Sequence, residues 1–298
     1  MQRRDFMKLG GAALLASQLP GSVKAASASP KMPIKKSLKY SMVEEKMPIA
    51  DQFRMLVDIG FDGVEMASPS EVNVDEVVAA KEKTGLEIPG VINSAHWKSP
   101  LSDPDPAVRA RCVAATETAL RDCQAYGGTT VLLVPGVVNE TVSYEDAYRR
   151  SQEEIRKLLP VAEEMGVKIA FENVWNNFLL SPLEAARYVD ELESDMVGWY
   201  FDVGNVVRYG WPEHWITALG DRILKLDVKE YSRKKQQDEG IWKGFEVELM
   251  EGDCHWPAVN KALTAIGYSG WASAEVPGGD RKRLADISQK MDSIFGLG

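Results

Sequence analysis

Four acidic residues in the second half of the chain each end or directly follow a short apolar run with the composition of a buried strand. A carboxylate buried without a partner is costly, so several of them brought together need a positive charge between them. Ligation by oxygen alone suits a hard divalent cation, Mn²⁺ or Mg²⁺, better than zinc. The pattern therefore predicts a metal site whose candidate ligands are Glu172, Asp202, Asp227 and Glu275.

Ordinary salt bridges are the alternative explanation for any one of these carboxylates. Arg222, Lys225 and Lys229 lie close to them in the sequence and could supply the counter-charge. Four carboxylates at four successive strand ends favour one shared cation over four separate pairs.

The elements that would position these residues alternate regularly along the chain. Short apolar runs predict strands, and amphipathic stretches between them predict helices. The predicted strands are residues 38–42, 63–66, 88–94, 130–134, 168–172, 197–202, 223–228 and 271–275. The predicted helices are residues 49–59, 74–84, 105–126, 144–165, 183–192, 212–219, 256–266 and 284–295.

Glycine follows five of the helical stretches directly before the next strand, as in the connections of a repeated βα unit. Eight such units favour an α/β fold of the (β/α)8 TIM-barrel type over an open doubly wound sheet. No Gly-x-Gly-x-x-Gly motif follows a strand, which argues against a dinucleotide-binding fold. The charged stretch 232–240 is predicted to be a long surface loop that could act as a lid. The five glycines are Gly60, Gly85, Gly127, Gly166 and Gly267.

In a barrel of this type the carboxyl ends of all strands meet at one face, where the chemistry takes place. The four acidic residues would therefore converge there. His96, which follows the third predicted strand, would lie at the same face with Trp97.

Charge and cysteine content exclude several other classes of protein. The 298 residues carry a formal net charge of −9, which makes a nucleic acid or an anionic membrane surface an unfavourable partner. The three cysteines form no Cys-x-x-Cys motif and are predicted to be buried thiols.

The first residues are typical of an export signal rather than of a folded element. Arg3 and Arg4 precede a short apolar stretch, residues 9–19, and small residues around Ala25 and Ala28 fit a cleavage site. The paired arginines resemble a twin-arginine signal. We expect residues 1–28 to be this signal, residues 29–298 to be a single barrel domain without a membrane span, and the mature protein to be periplasmic.

Several segments together resemble the xylose isomerase-like family of TIM-barrel sugar isomerases and epimerases, whose relatives include sugar phosphate enzymes. The resemblance extends over residues 38–296. It is carried by FENVWNNF at 171–178, FDVGN at 201–205, RILKLDVKEY at 222–231, EGDCHWPAV at 251–259 and GYSGWASAEVPGG at 267–279.

The resemblance implies a metal held by Glu, Asp, His and Glu at the ends of strands five to eight. Glu172, Asp202 and Glu275 match in type, but Asp227 stands where a histidine is usual. Asn205 stands where a second histidine is often found. Either Asp227 is a ligand in a more anionic site, or it lies behind the ligands.

The resemblance also implies that Glu172 and Glu275 form the acid/base pair of the reaction. Removing a proton next to a carbonyl produces an enediolate, which a divalent cation stabilises. His96, Lys229, Trp175 and His255 are the candidate substrate contacts, and Trp211 and Trp242 are further candidates for stacking on a sugar.

Three functions remain open from the sequence. The first is a divalent-metal-dependent sugar isomerase or epimerase. The second is a lyase or hydrolase that cleaves 3-keto glycosides by metal-assisted β-elimination, and the third is a sugar-binding barrel without catalysis. The expected partner is a small sugar or a 3-keto glycoside; the oligomeric state stays open, a homo-oligomer included.

Overall fold

The computed structural model of the chain describes residues 33–297. Eight parallel strands pair in sequence order, and the first strand pairs with the last to close a barrel. This is the predicted TIM-barrel architecture. The strands are β1 (Ile34–Lys39), β2 (Gly63–Ser68), β3 (Gly90–Asn93), β4 (Thr130–Leu133), β5 (Lys168–Glu172), β6 (Val197–Asp202), β7 (Ile223–Val228) and β8 (Gly270–Ala274).

Helices alternate with these strands and surround the barrel. One extra short helix follows β6 and another follows β7. The helices are α1 (Ile49–Asp58), α2 (Val74–Thr84), α3 (Pro106–Tyr126), α4 (Tyr144–Met165), α5 (Pro182–Asp190), α6 (Val203–Val207), α7 (Pro212–Leu219), α8 (Arg233–Glu239), α9 (Trp256–Ala265) and α10 (Arg281–Phe295).

Local capping explains why several helices begin and end where the sequence predicts. The Asp105 side chain accepts a hydrogen bond from the backbone N–H of Ala107 at the start of α3, and Ser143 caps α4 in the same way. Gly127 and Gly166 end these two helices in the left-handed conformation that a side chain disfavours.

Two predicted elements are wrong in placement or type. The first strand is Ile34–Lys39 instead of 38–42, because Lys36 and Lys39 are buried and paired inside the fold although the lysine-rich segment has the composition of an exposed one. The predicted loop 232–240 contains the helix α8. Ser232 caps this helix and Lys234 pairs with Asp238 one turn on, so the charged residues support a helix.

Apolar side chains fill the space between strands and helices, whereas the inside of the barrel is largely polar. The small apolar cluster that packs separately from the main core contains Leu132, Ala170 and Tyr200. Buried next to it are charged side chains of β1, β2 and β7, namely Lys39, Glu65 and Lys225. This polar interior lies directly beneath the carboxyl ends of the strands.

Cys112, Cys123 and Cys254 are buried free thiols, as predicted. Among the described residues, no helix combines the length and apolar character needed to cross a bilayer. The expected signal, residues 1–28, lies outside the described residues.

Candidate active site

The four predicted carboxylates come together at the carboxyl ends of β5 to β8. One oxygen from each of Glu172, Asp202, Asp227 and Glu275 lies within 4.8 Å of the others. The strands bring them there because neighbouring parallel strands end side by side: Asp202 and Asp227 are register partners of β6 and β7. Four separate strand ends thus place one carboxylate oxygen each around a space that can hold a single metal ion.

Two of the four carboxylates face the open cavity and two lie beneath it. Asp202 and Asp227 are fully buried, and Glu172 is 7% exposed. The Glu275 side chain is 38% exposed, although its Oε2 atom is buried. Only Glu172 and Glu275 of the four line the cavity, so they are the carboxylates that a substrate can reach.

Two lysines neutralise part of the negative charge. Lys229 Nζ lies 3.0 Å from Asp202 Oδ2 and 3.1 Å from Glu275 Oε2. Lys39 Nζ lies 2.7 Å from Asp227 Oδ1. Glu172 forms no ion pair with a described residue. The salt-bridge alternative therefore holds for part of the cluster only.

Lys39 also links the cluster to a buried network inside the barrel. Its ammonium group lies 2.8 Å from Glu65 Oε2, and Lys225 Nζ lies 3.1 Å from Glu65 Oε1. The Tyr200 hydroxyl donates a hydrogen bond of 2.7 Å to Glu65 Oε2. Counting this network with the four carboxylates, five acidic groups face three ammonium groups, which leaves two negative charges without a counter-charge.

The pKa values express this shortage of positive charge. Burial, and then the neighbouring Glu275 carboxylate, raise the pKa of Glu172 well above its usual value. Burial likewise raises the pKa of Asp227 although Lys39 opposes it. Burial also acts on Glu65, but Lys39 and Lys225 outweigh it and lower the pKa of that carboxyl to about 2. The negative charge is thus well compensated at Glu65, beneath the site, and at Glu275, whose pKa Lys229 and Lys39 lower against the effect of burial, and poorly compensated at Glu172 and Asp227.

Two asparagines hold Asp202 in place. Asn173 Oδ1 accepts hydrogen bonds from Asp202 N and Trp199 Nε1, each 3.0 Å long. Asn205 N donates a 2.7 Å hydrogen bond to Asp202 Oδ1, and Asn205 Nδ2 donates to the backbone oxygen of Asn173. Asn205, at the position where the resemblance implies that a histidine is often found, thus contacts Asp202 through its backbone N–H and contacts Asn173 through its side chain.

The cavity above the carboxylates has a volume of about 840 Å³. Of the predicted substrate contacts, it brings together His96, Lys229 and Trp175, and it includes Trp97 and Trp242. His255 is not among the lining residues: it is exposed, at the start of α9. Trp211 also lies outside the cavity.

His96 is held as a neutral hydrogen-bonding group. The backbone N–H of Val134 donates to His96 Nδ1 over 3.3 Å, so the proton of the neutral ring resides on Nε2. Burial lowers the pKa of His96 to about 4, although the Glu275 charge acts in the opposite direction. His96 is therefore a neutral Nε2–H donor in the cavity lining rather than a cation near neutral pH.

Glu230, just after β7, shapes the loop before α9 instead of joining the metal candidates. Its carboxylate accepts hydrogen bonds from Met250 N at 2.8 Å, Cys254 N at 3.1 Å and Trp256 Nε1 at 2.9 Å. Arg233 N donates to Asp253 in the same loop, which supports the wall of the cavity.

The donor set fits a hard divalent cation. All four candidate ligands are carboxylates, and the buried Asp227 Oδ2 accepts no hydrogen bond from a described residue. An ion with two positive charges would compensate the two unpaired negative charges counted above. Lys39 gives Asp227 a positive neighbour, so the Asp227–Lys39 pair has no net charge. A neutral histidine, which the resemblance implies at this position, would have no net charge either.

Sequence patterns missed two parts of this site. Lys39 belongs to the strand whose bounds were predicted wrongly. No local sequence signal indicates its ion pair with Asp227, 188 positions later. The role of Asn173 depends on contacts with β6 that only the fold creates. Glu65, on β2, lies beneath the metal candidates and pairs with Lys39.

Comparisons with known proteins agree with the barrel fold. The family model described as a xylose isomerase-like TIM barrel matches residues 53–294. An L-ribulose-5-phosphate 3-epimerase, UlaE, of Shigella flexneri is 25% identical over 254 residues, which cover 80% of this chain and 86% of the relative.

Two solved structures share the fold. D-psicose 3-epimerase of Clostridium cellulolyticum has a TM-score of 0.69 at 18% identity, over 89% of this chain and 98% of that one. The 3-keto-D-glucoside 4-epimerase of Escherichia coli has a TM-score of 0.70 at 17% identity, over 89% and 99% of the two chains. Because the family model matches most of the chain, the chain belongs to the xylose isomerase-like TIM barrel family.

Proposed function

We propose that this protein is a divalent-metal-dependent sugar epimerase that removes a proton next to a carbonyl and returns it on the opposite face. The observation that carries the proposal is the convergence of four strand-end carboxylates, two of which face the cavity. The epimerase names of the relatives support the same reaction class. Mn²⁺ or Mg²⁺ is the proposed cation, because all four candidate ligands donate oxygen atoms.

Glu172 and Glu275 are the proposed proton-transfer groups, because they are the members of the cluster that a substrate can reach. They belong to different strands, β5 and the end of β8, so each can act on a different face of a bound sugar. Asp202 and Asp227 would complete the ligand set. A bound divalent cation would act as a Lewis acid on the substrate carbonyl.

His96 and Lys229 are the proposed contacts to substrate oxygens. His96 offers an Nε2 donor, as derived above. Lys229 lies between Asp202 and Glu275 and lines the cavity, so its ammonium group can meet a hydroxyl while it orients both carboxylates. Trp175 forms part of the wall, with its Nε1 donating to the backbone oxygen of Asn205.

Hydrogen exchange tests the proposal directly. The Mn²⁺-loaded protein is incubated with a panel of ketohexoses, a ketopentose phosphate and a 3-keto glucoside in D₂O, and the products are followed by NMR. Deuterium beside the carbonyl, accompanied by the epimer, is expected with at least one substrate. Glu275→Gln should lower the rate by roughly 10²-fold or more.

Glu248→Gln is the matched control, because Glu248 pairs with Arg283 and Lys290 outside the cavity. It should exchange at the wild-type rate. Equal rates for Glu275→Gln and wild type would refute the assignment. Release of the aglycone from the 3-keto glucoside would support the lyase in place of the epimerase, and sugar binding without exchange would support a binding protein.

We also propose that the protein is exported through a twin-arginine signal. The support is the sequence alone: Arg3 and Arg4 before the apolar stretch 9–19. Fractionation of cells that express the full chain should place it in the periplasm, and replacement of both arginines by lysine should retain it in the cytoplasm. Unchanged export of that double variant would contradict the proposal.

A further inference from the structure

Resting on the proposed sugar chemistry, we propose that this site takes an uncharged sugar that carries a second ring, and not a sugar phosphate. The sugar lies at the carboxylates, and the second ring, an aromatic aglycone or another sugar, lies on three aromatic side chains at the mouth. We call these side chains the aromatic rim: Trp97, Trp242 and Phe245.

The cations that line the cavity are already engaged. Within the described residues, the lining contains two lysines and no arginine. Lys39 contacts Asp227 and Glu65, and Lys229 contacts two further carboxylates. A phosphate group would therefore find no lysine or arginine side chain in this lining without displacing a carboxylate.

Acidic residues in the same lining make a phosphate still less favourable. Glu230 and Glu246 line the cavity together with Glu172 and Glu275. A bound divalent cation would offset two negative charges of the deeper cluster and would leave the Glu230 carboxylate without an ion-pair partner among the described residues, whereas Glu246 is paired with Lys243 at 2.6 Å. A dianionic substrate would meet like charges, which is a strong form of discrimination. The exposed Arg208 stacks on Trp175 at 4.7 Å and does not line the cavity.

The aromatic rim presents large apolar faces to solvent directly beside the cavity. Trp97 is 53% exposed and Trp242 is 67% exposed. Exposed apolar faces that border a cavity are typical of a binding surface. Flat rings of either kind, aromatic or sugar, can stack on such faces.

Contacts behind the aromatic rim hold it in position. The Trp97 ring packs edge-on against His96 with 5.7 Å between ring centres. Trp242 and Phe245 each lie 4.8 Å from the Trp175 ring. The Tyr231 hydroxyl, which donates to the backbone oxygen of Ile241, ties this segment down. The rim is therefore preorganised, which lowers the cost of binding a second ring.

The size of the cavity agrees with a substrate of two rings. Its volume of about 840 Å³ lies in the upper part of the range for small-molecule sites. The carboxylates occupy its floor and the aromatic rim its mouth, so one ligand can contact both.

Calorimetry on the Mn²⁺-loaded full chain tests the inference without any need for turnover. The probes are methyl β-glucoside, phenyl β-glucoside, cellobiose and glucose 6-phosphate. We expect phenyl β-glucoside, cellobiose or both to bind at least about tenfold more tightly than methyl β-glucoside, and glucose 6-phosphate to bind more weakly than methyl β-glucoside. Whether phenyl β-glucoside or cellobiose binds more tightly shows which kind of second ring the aromatic rim selects.

Trp242→Ala and Trp97→Ala should reduce the two-ring preference, and Trp211→Ala is the matched control. Trp211 is 49% exposed but lies outside the cavity, so its removal should leave the preference unchanged. Equal binding of all three glucosides, tighter binding of the phosphate, or an equal effect of all three variants would overturn the inference. The deuterium exchange described above is a separate readout, so failure of this inference is distinguishable from failure of the proposed function.

Discussion

Replacing Lys39 by methionine should destabilise the metal-free protein strongly and make it more dependent on a divalent cation. Lys39 is 4% exposed, and its ammonium group contacts both Asp227 and Glu65. Methionine fills a similar volume but leaves Asp227 without its ion pair. Removing one partner of a buried pair costs about 3–5 kcal/mol.

A loss of that size lowers the melting temperature by about 5–9 °C for a domain of this length. The measurement is urea unfolding and thermal melting in EDTA and in excess Mn²⁺. Because the variant has one more uncompensated negative charge, Mn²⁺ should stabilise it more than it stabilises the wild type. Purification in Mn²⁺ provides folded material if the metal-free variant is too unstable.

Lys36→Met is the matched control, since Lys36 lies on the same strand and is also buried. It pairs with Asp292 and Ser288 on the helix side of β1, away from the carboxylates. Relative to the wild type, this variant should lose the same free energy of unfolding in EDTA as in excess Mn²⁺. The reasoning is refuted if Lys39→Met loses less than about 1 kcal/mol, or if Mn²⁺ stabilises both variants to the same extent.

Three further predictions concern single positions of the site. Burial lowers the pKa of His96 to about 4, below its unfolded value, so the unfolded state binds the extra proton and stability rises from pH 4 to 6.5. His96→Gln should flatten this rise by up to about 3 kcal/mol in urea unfolding across that range, and an unchanged slope would contradict the shift. Asn173→Ala removes the acceptor of Asp202 N and Trp199 Nε1 and should lower the free energy of unfolding by at least about 2 kcal/mol, with weaker Mn²⁺ binding in calorimetry. Glu230→Gln replaces an acceptor of three donors and should speed amide hydrogen exchange across residues 249–256; protection equal to wild type would show that the loop has other support.

The barrel and the four convergent carboxylates could be predicted from the sequence because both depend on regular local signals. Strand ends follow from apolar runs, and a closed parallel barrel places all those ends at one face. The exact bounds of β5, β6 and β7, which carry Glu172, Asp202 and Asp227, were predicted correctly.

The buried charges beneath the site could not be predicted in the same way. A lysine in a strand such as β1 reads as a solvent-facing residue, since lysine is rarely buried unless it is paired. Lys39 is buried because it pairs with Glu65, its register partner on β2, and with Asp227 on β7, and the proximity of Asp227 arises from barrel closure. His255 lies outside the cavity lining for a related reason: its position in the sequence does not determine the direction in which its loop turns.

The most direct test of the account is the divalent metal content of the purified protein, measured by elemental analysis with and without prior treatment with EDTA and Mn²⁺. We expect about one Mn²⁺ or Mg²⁺ per chain after reloading, and loss of that ion in an Asp202→Asn, Glu275→Gln double variant that still melts cooperatively. If the reloaded wild type holds no divalent ion, or if the double variant holds as much as the wild type, the four carboxylates are not a metal site and the proposed chemistry is wrong.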